Sequence, residues 1–173
     1  MKNKIIIIIS LVVIIGSILF ITTIKNSNKL NSSSLLVSST YYNNAWQEQY
    51  SGAAIFSDGS IYSWSFIDDE IEIDKYDLNN KEDLEKYIKK YATIENYRVS
   101  KNEIALIKKY LKLVENSNEE TSLNCESSDA GSFSVTGWYN NKKIELSLFG
   151  DCSFKSDNKY VKKILKICNK HFN

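Results

Sequence analysis

Ala53-Ala-Ile-Phe-Ser-Asp-Gly-Ser-Ile-Tyr-Ser-Trp-Ser-Phe66 reads as two strands joined by a tight turn. Asp58-Gly59 supplies the turn, because glycine accepts a positive φ without a Cβ clash. Beyond it Tyr62, Trp64 and Phe66 alternate with Ser63 and Ser65. That period of two marks a strand with one face covered. The predicted strands are Ala53–Ser57 and Ser60–Phe66. Glu70–Asp74 alternates again, with Ile71 and Ile73 facing opposite to Glu70, Glu72 and Asp74, which predicts a three-stranded meander.

Working toward the C-terminus, the period changes to that of a helix. Leu84, Tyr87, Ile88 and Tyr91 share one face of a predicted helix from Lys81 to about Glu95. Ser100 with Glu103 forms a capping-box pattern for a second helix, from Lys101 to about Asn116. Its stripe is Ile104, Ile107, Leu111 and Val114. A second hairpin pairs Ser132–Tyr139 with Lys142–Phe149 across Asn140-Asn141, a turn-favouring pair. A last helix runs from about Asp157 to about His171, with Ser156 as the expected cap. Its Val161, Ile164, Leu165, Cys168 and Phe172 lie opposite a lysine stripe of Lys159, Lys162, Lys163, Lys166 and Lys170. The fold class expected is α+β, of order β-β-β-α-α-β-β-α. An antiparallel sheet of about five strands would be covered on one face by helices.

Working toward the N-terminus, residues 1–4 are a basic tail, and residues 5–24 form an uncharged apolar run of 20. At about 1.5 Å per residue a helix of that length crosses about 30 Å of hydrocarbon. An uncleaved anchor and a cleaved signal peptide compete for this segment. The length of the run, the lack of an A-x-A site and the lack of a nearby cysteine favour the anchor. Lys2, Lys4 and the terminal amine precede the run, and Lys25 and Lys29 follow it. The positive-inside rule then places the C-terminal domain outside the cytoplasm, in a single-pass membrane protein. Residues 25–40, rich in Ser and Asn, read as a flexible linker to a domain at 41–173.

The chain has 173 residues and a net charge of +1. That balance argues against a nucleic-acid partner, which favours a strongly basic domain. One histidine and three scattered cysteines do not make a zinc module. Cys125 and Cys152 bracket the second hairpin, and in an oxidising exterior a Cys125–Cys152 disulfide is expected. Cys152–Cys168 is the alternative pairing, and Cys168 reads as a small core residue. A catalytic thiol would need His171 as its base, yet Cys168 is expected to face the core. Ser156-Asp-Asn-Lys159 matches S-x-x-K, a pattern common by chance in a chain so rich in serine and lysine. Asp68, Asp69 and Glu70 are candidate cation contacts, although their strand-like setting does not resemble a calcium loop. Tyr41, Tyr42 and Trp46 are the candidates for a partner contact. The expectation includes no catalytic set, cofactor or metal centre.

The apolar run at 5–24, the Ile/Lys/Asn bias with Arg98 as the one arginine, and two further stretches carry a resemblance. The stretches are Gly52-Ala-Ala-Ile-Phe-Ser-Asp-Gly-Ser-Ile-Tyr62 and Ile144-Glu-Leu-Ser-Leu-Phe-Gly-Asp151. In layout the chain resembles small membrane-tethered or lipoprotein-like exported proteins of AT-rich Gram-positive bacteria. The resemblance implies an exported α+β domain and transfers no site residue. The expected function is a non-enzymatic, membrane-anchored domain that binds a protein or a cell-envelope component, with the lipid bilayer contacted through residues 5–24. The alternatives are an envelope hydrolase using Asp58, Asp129 or Asp151, and a small solute- or metal-binding module.

Overall fold

A computed structural model describes residues 33–43, 49–67, 75–117, 124–125, 131–150 and 152–172. The strands are β1 (Leu35–Asn43), β2 (Gln49–Phe56), β3 (Ser60–Ile67), β4 (Thr93–Arg98), β5 (Asn124–Cys125), β6 (Ser132–Tyr139), β7 (Lys142–Gly150) and β8 (Cys152–Lys155). The helices are α1 (Lys81–Tyr91), α2 (Lys101–Glu115) and α3 (Lys159–His171). All strands pair antiparallel in the order β4-β3-β2-β1-β6-β7-β8-β5, the two-residue β5 pairing only with β8 at one end. Residues 34–173 group as one compact unit.

Both expected hairpins form. Gly59 has φ 87° in the first turn, where Asp58 Oδ1 accepts from the Ser60 backbone N–H at 3.0 Å. Asn140 and Asn141 both take positive φ, 47° and 61°, which matches the twist of the flanking strands. The capping box of α2 is present, with Ser100 Oγ accepting from the Glu103 N–H and Glu103 returning to the Ser100 backbone. In α3 the cap is Asn158, not Ser156. Asn158 Oδ1 accepts from the Tyr160 N–H at 2.8 Å, while the buried Ser156 hydroxyl accepts from the Asn158 N–H.

The expected five-stranded sheet with one covered face is corrected by the structure. The element order is β-β-β-α-β-α-β-β-β-β-α. The stretch read as linker contains the start of β1, which pairs with both β2 and β6 at the middle of the sheet. Its serines lie inside the protein, Ser38 and Ser39 being buried beside Leu35, Leu36 and Val37. The helix expected to reach Glu95 stops at Tyr91. Ala92 turns extended there, and the Thr93–Arg98 segment pairs with β3 as an edge strand. The segment expected as a strand at Glu70–Asp74 lies outside the described residues.

Both faces of the sheet are covered. On one, Val37, Ile55, Ile61, Val135 and Leu146 pack against α2 and α3 through residues such as Ile107, Leu111, Ile164 and Cys168. On the other, Tyr50, Phe56, Tyr62, Trp64 and Trp138 pack with Leu84, Tyr87 and Ile88 of α1. An irregularity between Leu35 and Val37 sends these two neighbours to different cores. Burying the large rings on one face and the branched aliphatics on the other uses both sides of the period-2 pattern.

The expected transmembrane helix and the single-pass extracytoplasmic placement gain no support from the described residues. No helix among the described residues is long and apolar enough to cross a membrane. The run at 5–24 lies outside the described residues. Cys125 and Cys152, the expected disulfide pair, are register partners across β5 and β8. Cys152 is disulfide-bonded, and Cys168 is the free cysteine among the described residues.

Candidate functional site

Alternation along β1 and β6 decides what faces the α1 side beyond the reach of the helix itself. β1 presents Ser38, Thr40 and Tyr42 there, and β6 presents Ser134, Thr136 and Trp138. The strands are in register, Ser38 opposite Thr136 and Thr40 opposite Ser134. Two adjacent rungs therefore place four hydroxyls on one patch of sheet, where a strand facing a dry core would carry Val or Ile. Thr40 Oγ1 and Ser134 Oγ share a hydrogen bond of 2.8 Å.

Over this floor lies a cavity of about 340 Å³, walled by Tyr42, Tyr50 and Trp138 and closed by Leu78, Asn79, Leu84 and Lys143. The size falls at the low end for small-molecule sites. Tyr42 and Tyr50 meet edge to face with centroids 6.5 Å apart. Burial pushes the Tyr50 phenol well above its ordinary pKa, so it stays protonated.

The rim is held by local polar contacts. Asp77 Oδ1 accepts from the Asn79 N–H at 2.9 Å, and Asn80 caps α1 through Oδ1. Glu85 of α1 accepts from the Leu35 backbone N–H at 2.8 Å, which ties the helix to the start of β1. Across the opening, Lys143 Nζ donates to Asn79 Oδ1 at 2.8 Å and lies 3.9 Å from Glu145 Oε2. The lysine charge is thus matched by one carboxylate. Burial raises the Glu145 carboxyl above its ordinary range, with Lys143 opposing.

Two buried polar atoms beside the cavity have no hydrogen-bond partner, Trp138 Nε1 and Glu145 Oε1. Trp138 is 2 % exposed and forms part of the cavity wall. Glu145 is the register partner of Thr136, a floor residue. An orphaned buried donor or acceptor costs about 1–3 kcal/mol; Trp138 lines the cavity, whereas Glu145 is not among its lining residues. No Asp, Glu, His or Cys among the described residues lines the cavity. Among the described residues no group of three His, Cys, Asp or Glu is placed to hold a metal ion.

The expected site residues are only partly brought together. Tyr42 is 38 % exposed and lines the cavity. Tyr41 faces the opposite side, with Phe133 and Phe149 in one row across β1, β6 and β7. Trp46, Asp68, Asp69, Glu70, Asp129 and Asp151 lie outside the described residues. Asp58 serves the first hairpin turn and lies 3.7 Å from the Arg98 guanidinium. The Cys168 thiol is buried and its pKa is pushed up to about 12 by desolvation, which removes thiolate character. His171 Nε2 lies 3.4 Å from Glu103 Oε2, poorly aligned for a hydrogen bond. Trp64, Tyr62 and Phe66 pack in the α1 core, and Trp138 belongs both to that core and to the cavity.

The floor hydroxyls, Asn79 and Lys143 were not anticipated. Ser134, Thr136 and Trp138 did carry a signal, since they alternate on one face of a strand that was anticipated. Ser38 and Thr40 carried none, because β1 resembled a linker in composition. No family model, curated protein or solved structure matches this chain, so the resemblance in layout gains no named relative.

Proposed function

We propose that the domain is a non-catalytic binding module whose cavity takes a small, neutral, hydroxyl-rich solute, a single sugar ring being the fitting class. The observation that carries this reading is the floor of four hydroxyls beneath aromatic walls, one of them Trp138, whose buried indole N–H has no partner. Aromatic walls suit the apolar face of a ring, and the floor supplies donors and acceptors for its hydroxyls. Lys143 is compensated by Glu145 and held by Asn79, so the cavity has little net charge with which to select an anion. An envelope saccharide is one source of such a ring, which keeps the expected envelope component within the proposal.

Isothermal titration against a panel of monosaccharides, polyols and amino acids tests it. At least one sugar should bind with a Kd at or below the millimolar range. Trp138→Phe, which keeps a ring and deletes the donor, should weaken that binding about 2–10-fold. Absence of binding across the panel, or identical affinity in Trp138→Phe and Thr40→Val, would refute the assignment.

A further inference from the structure

The near-zero net charge of the chain conceals a strongly uneven distribution. Helix α2 carries four lysines and α3 carries five, and all nine are exposed. The same two helices hold two acidic residues, Glu103 and Glu115. The pair therefore carries +7 within a chain of +1, and the rest of the chain carries −6. Both helices pack on one face of the sheet, opposite the cavity. The lysines thus form a single basic layer.

Little of this charge is neutralised. Glu103 binds Lys170 at 2.7 Å, Asp157 binds Lys162 at 2.9 Å, and Glu115 binds Lys142 of β7 at 2.8 Å. Lys109, Lys112 and Lys166 have no ion pair among the described residues. Tyr110 of α2 stacks on Tyr160 of α3 with centroids 5.8 Å apart. Lys163 stands over the Tyr110 ring, 5.4 Å from its centroid. Stacked rings fill that part of the seam between the helices, leaving a broad face where a strand-tracking groove would need a cleft.

From this layer we infer a second, independent activity: peripheral docking of α2 and α3 on an anionic lipid surface. The side chains match a fluid plane of phosphate headgroups. Lysine is a hydrated point charge on a long stem and suits diffuse attraction, whereas bidentate phosphate recognition favours arginine. Neither helix contains an arginine. Leu106, 39 % exposed on α2, adds an apolar side chain to the same helix. Docking is reversible and electrostatic, requires no spanning helix, and leaves the cavity on the far face of the sheet.

Vesicle co-sedimentation of the full chain tests this, with phosphatidylcholine vesicles compared with 7:3 phosphatidylcholine:phosphatidylglycerol vesicles. The apolar run at 5–24 contributes to both compositions, but Lys2, Lys4, Lys25 and Lys29 beside it also favour the anionic vesicles. The readout is therefore the change in the ratio of the two partition coefficients between wild type and variants. The ratio should exceed about tenfold at 0.1 M salt and fall toward unity at 0.5 M, as screening shortens the reach of the charges. A variant with Lys109, Lys112, Lys159 and Lys166 all changed to Gln should lose at least tenfold of it. Lys86→Gln with Lys90→Gln on α1 should leave it within twofold. Where the quadruple variant melts early, the two paired variants Lys109→Gln with Lys112→Gln and Lys159→Gln with Lys166→Gln replace it, and a wild-type ratio in both would overturn the inference. Equal partition onto both vesicle types, or a ratio insensitive to salt, would overturn the inference. So would tighter binding to duplex DNA or linear polyphosphate than to the anionic vesicles in the same buffer.

Discussion

Gly137 is the residue on which α2 rests, and replacing it by alanine is expected to destabilise the domain. A methyl built on Gly137 would lie 2.3 Å from Leu111 Cδ2 and 3.4 Å from Leu146 Cδ1. The second distance is an ordinary contact, whereas the first requires Leu111 to retreat by more than 1 Å to reach a normal carbon–carbon separation of about 3.5–4 Å. Leu111 and Leu146 are both 0 % exposed, so there is no solvent for them to retreat into. Overpacking of this kind costs about 1–3 kcal/mol. Against it stands the gain of about 0.5–1 kcal/mol from removing a glycine from a strand. The net expectation is a loss of about 1–2 kcal/mol, or about 3–6 °C in Tm for a domain of this size. Leu111→Ala alone should cost about 2–5 kcal/mol by opening a cavity. In the double variant the new methyl occupies part of that cavity and the clash disappears, so the loss should fall short of the summed single losses by about 1–2 kcal/mol. Urea denaturation followed by tryptophan fluorescence measures all three. A stabilised Gly137→Ala chain, or strict additivity in the cycle, would refute the packing argument.

Two further predictions concern a carboxylate and a thiol. Lys170 and the Ser100 cap hold the Glu103 carboxyl at a pKa of about 2, below its ordinary 4.5. The unfolded chain therefore binds more protons between those values, and the stabilisation is present above pH 4.5 and lost as pH falls through 2. Glu103→Gln should remove about 1–2 kcal/mol at pH 7, after discounting for solvent screening and including the cap. It should also flatten the wild-type decline between pH 5 and pH 2.5 in urea melts, and an unchanged slope would sink the assignment. Cys168, buried with its pKa pushed up to about 12, should resist a thiol reagent at pH 8 in the native chain and react on unfolding. Rapid labelling of the folded chain at Cys168, located by peptide mapping, would show that the site opens.

What could be read in the sequence follows from how strongly each segment advertises its period. Tyr62, Trp64 and Phe66 separate cleanly from Ser63 and Ser65, and both turns carry residues that tolerate positive φ. Those hairpins and all three helices were legible to within a few residues, except that the first helix ends early at Tyr91. β1 was not legible. Leu35-Leu-Val-Ser-Ser-Thr-Tyr-Tyr-Asn43 has neither a continuous apolar run nor clean alternation, because an irregularity after Leu35 resets its phase. Its serines and threonine are small enough to be covered by neighbouring strands. β4 was hidden for a different reason. It follows Tyr91 after one residue, and the sequence Thr93-Ile-Glu-Asn-Tyr-Arg98 has exposed or partly exposed side chains throughout, so no buried face marks it.

The illegible strand and the candidate site are the same feature. A middle strand of a sheet covered on both sides favours branched apolar residues, since each buried hydroxyl must find a partner or lose free energy. β1 gives up that gain at Ser38 and Thr40, and β6 does so at the facing Thr136 and Ser134. A purely structural account would confine small hydroxyls to places where a large side chain cannot fit. Here a cavity of about 340 Å³ stands directly over them, so space for larger side chains exists and is left open. The indole N–H of Trp138 points to the same conclusion, since a phenylalanine would fill the wall without an orphaned donor. Polar groups concentrated beside unfilled space, on middle strands of the sheet, are the arrangement that the proposed solute site requires.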